Sequence, residues 1–105
     1  MKKIDRIINK LNNKIKSFYS DFNGVYLYGS YAHNTATNDS DIDLVALFNN
    51  TLSREERMNL WRIIGKLEAE LDLVFDIHPM TLSELKNNPV YYNQVVNKGI
   101  FYGAR

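Results

Sequence analysis

Two acids one residue apart, Asp41 and Asp43, carry the strongest chemical signal in the chain. In an extended strand alternate side chains share a face. The two carboxylates therefore point the same way, while Ile42 and Leu44 point toward a core. Carboxylates held side by side repel each other and are costly to desolvate. A divalent cation relieves both costs. Hard oxygen ligands suit magnesium, which also takes ligands from a bound phosphate. Upstream, separated from Asp41 by the polar stretch Tyr31 to Ser40, stands Gly29-Ser30. A glycine lets a phosphate approach the backbone with no Cβ in the way. The Ser30 hydroxyl adds a donor, and residues 30–34 are expected to form one helical turn whose free N–H groups face an anion. A Gly-Ser pair alone is an ordinary turn, and Asp-x-Asp alone is weak. The two at this spacing, between strand-like runs, form a specific pattern.

The elements that position these residues follow from periodicity. Residues 3–19 read as an amphipathic helix, with Ile4, Ile7, Ile8, Leu11, Ile15 and Phe18 at helical spacing. Lys10, Lys14 and Lys16 are taken as its solvated face, the alternative being a basic helix that docks an acidic partner or RNA. Asp21-Phe22-Asn23-Gly24 is turn chemistry, and Val25 to Tyr28 is a strand. In the loop that follows, Asn34 tolerates the left-handed conformation and His33 is read as an exposed loop residue. Residues 41–48 form the second strand. Ser53-Arg54-Glu55-Glu56 is a capping box opening a helix to about Glu70, with Met58, Trp61, Ile64, Leu67 and Leu71 as its buried stripe. Leu71 to Ile77 reads as a third strand, with Leu71, Leu73, Phe75 and Ile77 on one face and Asp72, Val74, Asp76 and His78 on the other. Thr81-Leu82-Ser83-Glu84 caps a short helix, and Pro89 starts a last one reaching Asn97 with Val90, Gln94 and Val95 near one side. Lys98-Gly99 stops it, and Ile100-Phe101-Tyr102 is a last short strand. Tyr91, Tyr92 and Tyr102 are candidates for an exposed partner surface, with core packing an equal explanation for some of them.

Composition bounds what the chain does. Its 105 residues suit one small domain, residues 1–105, and 45% hydrophobic content supports a core. A formal net charge of +1 supplies no global field for nucleic acid or membrane, so neither is expected as a partner. Cysteine is absent, which excludes disulfides and thiolate metal sites and fits a cytoplasmic location. No apolar run approaches the roughly 20 residues of a membrane span, and there is no internal repeat.

Gly29-Ser30, the ten residues that follow, and Asp41-x-Asp43 together resemble the nucleotidyltransferase superfamily that includes DNA polymerase β. The pattern is most similar to its small bacterial branch, the minimal nucleotidyltransferase (MNT) domain. The preceding strand, Ser40 before the first acid, and the ending Asn97-Lys98-Gly99-Ile100-Phe101-Tyr102 also fit, so the resemblance spans residues ~20–102. It implies an α/β (α+β) fold: a small mixed or antiparallel four-stranded sheet with helices mainly on one face. It implies a third carboxylate on a strand beside Asp41 and Asp43; Asp76 is the choice and Asp72 the competitor. It further implies transfer of AMP from ATP to a hydroxyl, with two magnesium ions held by Asp41, Asp43 and Asp76 and the triphosphate held by Gly29 and Ser30. In such families the partner resembles a HEPN-type toxin, silenced by AMP on a tyrosine, so an oligomer or hetero-complex is implied. A small hydroxyl acceptor such as an aminoglycoside, and a binding-only antitoxin subunit, are the alternatives.

Overall fold

The computed structural model describes residues 2–104. Helix α1 spans Lys3–Phe18, strand β1 Phe22–Tyr28, strand β2 Ile42–Phe48, helix α2 Arg54–Leu71 and strand β3 Phe75–Met80. Two short helices, α3 (Leu82–Lys86) and α4 (Pro89–Tyr92), precede a π turn over Asn93–Asn97 and strand β4, Ile100–Gly103. The four strands lie in the order β3-β2-β1-β4. β1 is antiparallel to both β2 and β4, while β2 and β3 are parallel, so the sheet is mixed. A parallel pair needs a crossover connection, and α2 is that crossover.

The sheet has one thick and one thin cover. Ile8, Leu11 and Ile15 of α1 and Leu60, Ile63, Ile64 and Leu67 of α2 pack on Val25, Leu27, Ile42, Leu44, Ala46, Phe75 and Ile77. The opposite face has a small second core of Val45, Leu47, Leu85 and Val95, roofed by α3, α4 and the π turn. That thin roof leaves the Asp43 end of the sheet accessible, and Asp43 is only half-buried.

Several local expectations shift. β3 begins at Phe75 rather than Leu71, because α2 continues through Leu71 and ends on Asp72 at φ 53°. Aspartate is among the few residues that enter the left-handed region readily. The Leu73 N–H then closes on Glu68 O, and Glu68 Oε2 accepts from the Phe75 N–H, handing the chain to the sheet. β1 begins at Phe22, earlier than the turn residues suggested, because a bulge at Asn23–Gly24 keeps the strand paired. Gly24 sits at φ 132°, and a Cβ there would strike Tyr102 O.

The buried stripe of α2 is Leu60, Ile63, Ile64 and Leu67; Met58 and Trp61 are 47% and 43% exposed. Two spacings share this helix, and the one that faces α1 and the sheet is buried. Phe18 and Val90 are exposed too, at 64% and 72%. The last helix breaks into α4 and the π turn. Asn34 does adopt the left-handed conformation, at φ 58°. Among the described residues no helix is long and apolar enough to cross a membrane.

Candidate functional site

Strand register assembles the site. Tyr28 of β1 pairs with Asp43 of β2, and Asp43 pairs with Asp76 of β3. Directly opposed residues in adjacent strands bring their side chains within about 5 Å on one face. Tyr28, Asp43 and Asp76 therefore form a single row across three strands. Ile42 and Leu44, on the other face, are buried to 1% and 0% exposure. Asp41 lies just before β2 and is exposed. Asp72 lies at the C-terminal end of α2, off the sheet, so of the two competitors it is Asp76 that stands beside Asp43.

The row is electrostatically tense. The Asp43 carboxyl is pushed above the ordinary aspartate range, first by desolvation and then by the charges of Asp76 and Asp41; His78 opposes the shift. His78 Nε2 lies 3.1 Å from Asp76 Oδ1, which places this histidine at the rim of the acidic row. Among the described residues no three His, Cys, Asp or Glu side chains already stand in a chelating arrangement. The donor set fits a hard divalent cation nonetheless. Paired carboxylates on neighbouring strands, one of them raised by its neighbours, offer oxygen ligands whose repulsion such an ion would cancel.

Gly29 has a reason that sequence alone did not supply. It occupies φ 73°, and a Cβ on it would collide with Asp43 Oδ2. The glycine thus makes room for the carboxylate itself, whatever it does for a ligand. Gly29–Tyr31 form a 3₁₀ turn closed by Ala32 and His33 N–H groups donating to Gly29 O at 3.1 and 3.3 Å. The N–H groups at the start of such a turn precede its first closed bond. Ser30 is the second residue of this turn, just beyond the end of the row, and the Thr35 N–H donates to its carbonyl at 2.9 Å. His33 is exposed.

Two tyrosines complete the site. Tyr28 and Tyr91 place their hydroxyls 2.8 Å apart, with rings edge to face at 5.6 Å. Burial raises both phenols, and the charges of Asp43 and Asp76 raise them further. Tyr91 reaches the row from α4, whose N-terminus is set by Asn88 Oδ1 accepting the Tyr91 N–H. Tyr28 was legible only as a strand residue preceding the glycine, and its parity with Tyr26 was the one available signal. Tyr91 had no signal, since α4 folds over the sheet from far along the chain. Tyr91 and Tyr102 are not free surface: Tyr102 is half-buried, and its hydroxyl donates to Asp5 Oδ1 at 2.6 Å.

The family profile described as "nucleotidyltransferase domain" matches residues 8–102. Among solved structures, a toxin–antitoxin complex with AMP-PNP aligns at 30% identity, covering 89% of this chain and 69% of that one with a TM-score of 0.66. The toxin–antitoxin MntA–HepT aligns at 26% identity, 92% and 69% coverage and a TM-score of 0.60. A complex of a tri-AMPylated HEPN toxin with MNT antitoxin from Shewanella oneidensis aligns at 27% identity, 92% and 69% coverage and a TM-score of 0.58. No curated protein matches the chain.

Proposed function

The chain belongs to the nucleotidyltransferase domain family, and from that premise we propose that it transfers AMP from ATP to a tyrosine hydroxyl of a HEPN-type partner protein. The observation that carries this reading is the carboxylate row beside a glycine-serine turn. It is supported by likeness to complexes that contain AMP-PNP and an AMPylated HEPN toxin. Asp43 and Asp76 would hold magnesium, with Asp41 joining from the loop ahead of β2. When bound, such ions would neutralise charge on the entering and departing oxygens.

The remaining work falls to the chain. Gly29 keeps the Asp43 carboxylate seated against the turn. The early N–H groups of that turn and the Ser30 hydroxyl donate to the β- and γ-phosphate oxygens. The acceptor oxygen attacks the α-phosphorus as pyrophosphate leaves, and Asp76, beside His78, would accept the hydroxyl proton. Catalysis of this type is mostly positioning and charge neutralisation, so few side chains suffice. A thin roof over the sheet suits an acceptor that brings its own surface.

The test incubates the chain with magnesium, α-labelled ATP and a co-expressed HEPN protein. Label is expected on a partner tyrosine, and EDTA is expected to abolish it. Label entering only an aminoglycoside, or no metal-dependent nucleotide binding at all, would overturn the reading.

A further inference from the structure

A second surface lies on the thick side of the molecule, where α1 and α2 pack against the sheet and leave a groove between them. One part, about 530 Å³, is lined by Lys14, Phe18, Asn59, Arg62, Ile63 and Lys66, among others. An adjoining part, about 310 Å³, includes Lys10, Asn13 and Ser17 and shares Lys14 and Lys66 with the first. The two parts meet at Lys14 and Lys66, which line both. Two carboxylates face the groove, and both are engaged. Glu70 pairs with Lys10 at 3.5 Å, and Glu56 is bound into the capping box with Ser53. Arg62 donates to the Asn59 amide oxygen, and Lys14 lies 5.9 Å above the Phe18 ring. Lys14, Arg62 and Lys66 thus face the groove with no carboxylate partner among the described residues.

We propose that this groove binds single-stranded RNA. Lys10 and Lys14 on one wall, and Arg62 and Lys66 on the other, are each four residues apart. Four helical residues advance about 6 Å, on the order of one nucleotide step of an extended strand, so the cations repeat as phosphates do. An acidic peptide has no such obligatory period. At one end Phe18 offers a ring that is 64% exposed, the type of platform on which bases stack in single-strand binding. Asn13, Ser17 and Asn59 supply neutral donors and acceptors along the groove. A duplex has its bases already stacked and would leave the Phe18 ring unused. The net charge of +1 concealed this surface, because it sums the whole chain, whereas the groove gathers Lys10, Lys14, Arg62 and Lys66 against only Glu56 and Glu70.

The test is fluorescence anisotropy of a labelled uridine-rich RNA of about eight nucleotides with the full chain, without magnesium or ATP. Saturable binding is expected, weakening with salt at a log–log slope of about −2, as for about three neutralised phosphates on a single strand. Lys14→Glu with Lys66→Glu should weaken binding about tenfold or more and flatten that slope. Lys14→Gln with Lys66→Gln repeats the measurement if the reversed charges disturb folding, which circular dichroism reads. Phe18→Ala should weaken binding about fivefold and leave the slope unchanged. Asp43→Ala, which lies in the acidic row, should bind RNA as the parent does, so failure here and failure of the transfer reading are separate results. Absence of RNA binding, binding indifferent to the lysine substitutions, or equal competition by polyglutamate would overturn the proposal.

Discussion

The sheet end and the helical groove handle charge in opposite ways. At the sheet end, acids from neighbouring strands are forced together by register, and Asp43 is displaced from its ordinary range by burial and by Asp76 and Asp41. In the groove, cations sit on flexible stems along two exposed helix walls and stay hydrated. The first arrangement concentrates mutually repelling charge. The second is relaxed and gains by releasing counterions when a polyanion arrives. Functional strain of the first type is held in place by the surrounding structure. Here that structure includes Gly29, the Tyr28–Tyr91 pair and the α4 roof.

Three substitutions break or sharpen this contrast. The largest effect is expected from Asp43→Asn. Transfer of label from α-labelled ATP should fall by about 10³ or more, the scale of losing a main electrostatic group. Thermal stability should rise at neutral pH, since a repelling charge is gone. The sign follows from the raised Asp43 pKa. Above that pKa the parent bears the full repulsion. As pH falls through it toward the unfolded value of 3.8, the parent becomes neutral there and the stability gap closes. Melting curves of both proteins across that range measure it; a gap that widens in acid would contradict the strained reading.

Gly29→Ala comes next. A residue with a Cβ at φ 73° costs about 1–2 kcal/mol, and the methyl also displaces the Asp43 carboxylate. Transfer should therefore fall by more than the loss of stability explains, which urea melts run beside the transfer assay would reveal. The smallest effect, and opposite in sign, is Gly65→Ala in α2. No atom lies within 4 Å of the Cβ it would carry. The helix should gain about 1 kcal/mol, with both transfer and RNA binding unchanged. A loss of either function would mean that this exposed glycine serves a contact the structure does not contain.

Legibility in the sequence tracked how local each feature is. Both capping boxes formed as their residues suggested, Ser53 with Glu56 and Thr81 with Glu84. These bonds close within a single turn and need no distant partner. The turning of Ile42 and Leu44 into the core was equally local, since strand periodicity decides it; Asp41 itself stands just before β2. The α2 stripe was misplaced because Met58 and Trp61 share a helical spacing with true core residues. Only the direction from which α1 and the sheet approach decides which spacing is buried. The third strand was placed four residues early because an apolar alternation continues across the left-handed stop at Asp72.

What the amino-acid order determined by itself was the set of short-range geometries: which side chains alternate, where helices are capped, and where a turn can enter the left-handed region. These depend on backbone torsions and neighbours a few residues away. The tertiary structure decided how the acids meet. It set Asp76, which the sequence had favoured over Asp72, beside Asp43 through the parallel register of β3 on β2, brought Tyr91 down onto Tyr28, and left no room for a Cβ on Gly29. It also gathered Lys10, Lys14, Arg62 and Lys66 from two helices around one groove, away from the acidic row of Asp43 and Asp76. Register and packing join residues through space, and the energy that selects them comes from burying the whole sheet, which no single segment of the chain encodes.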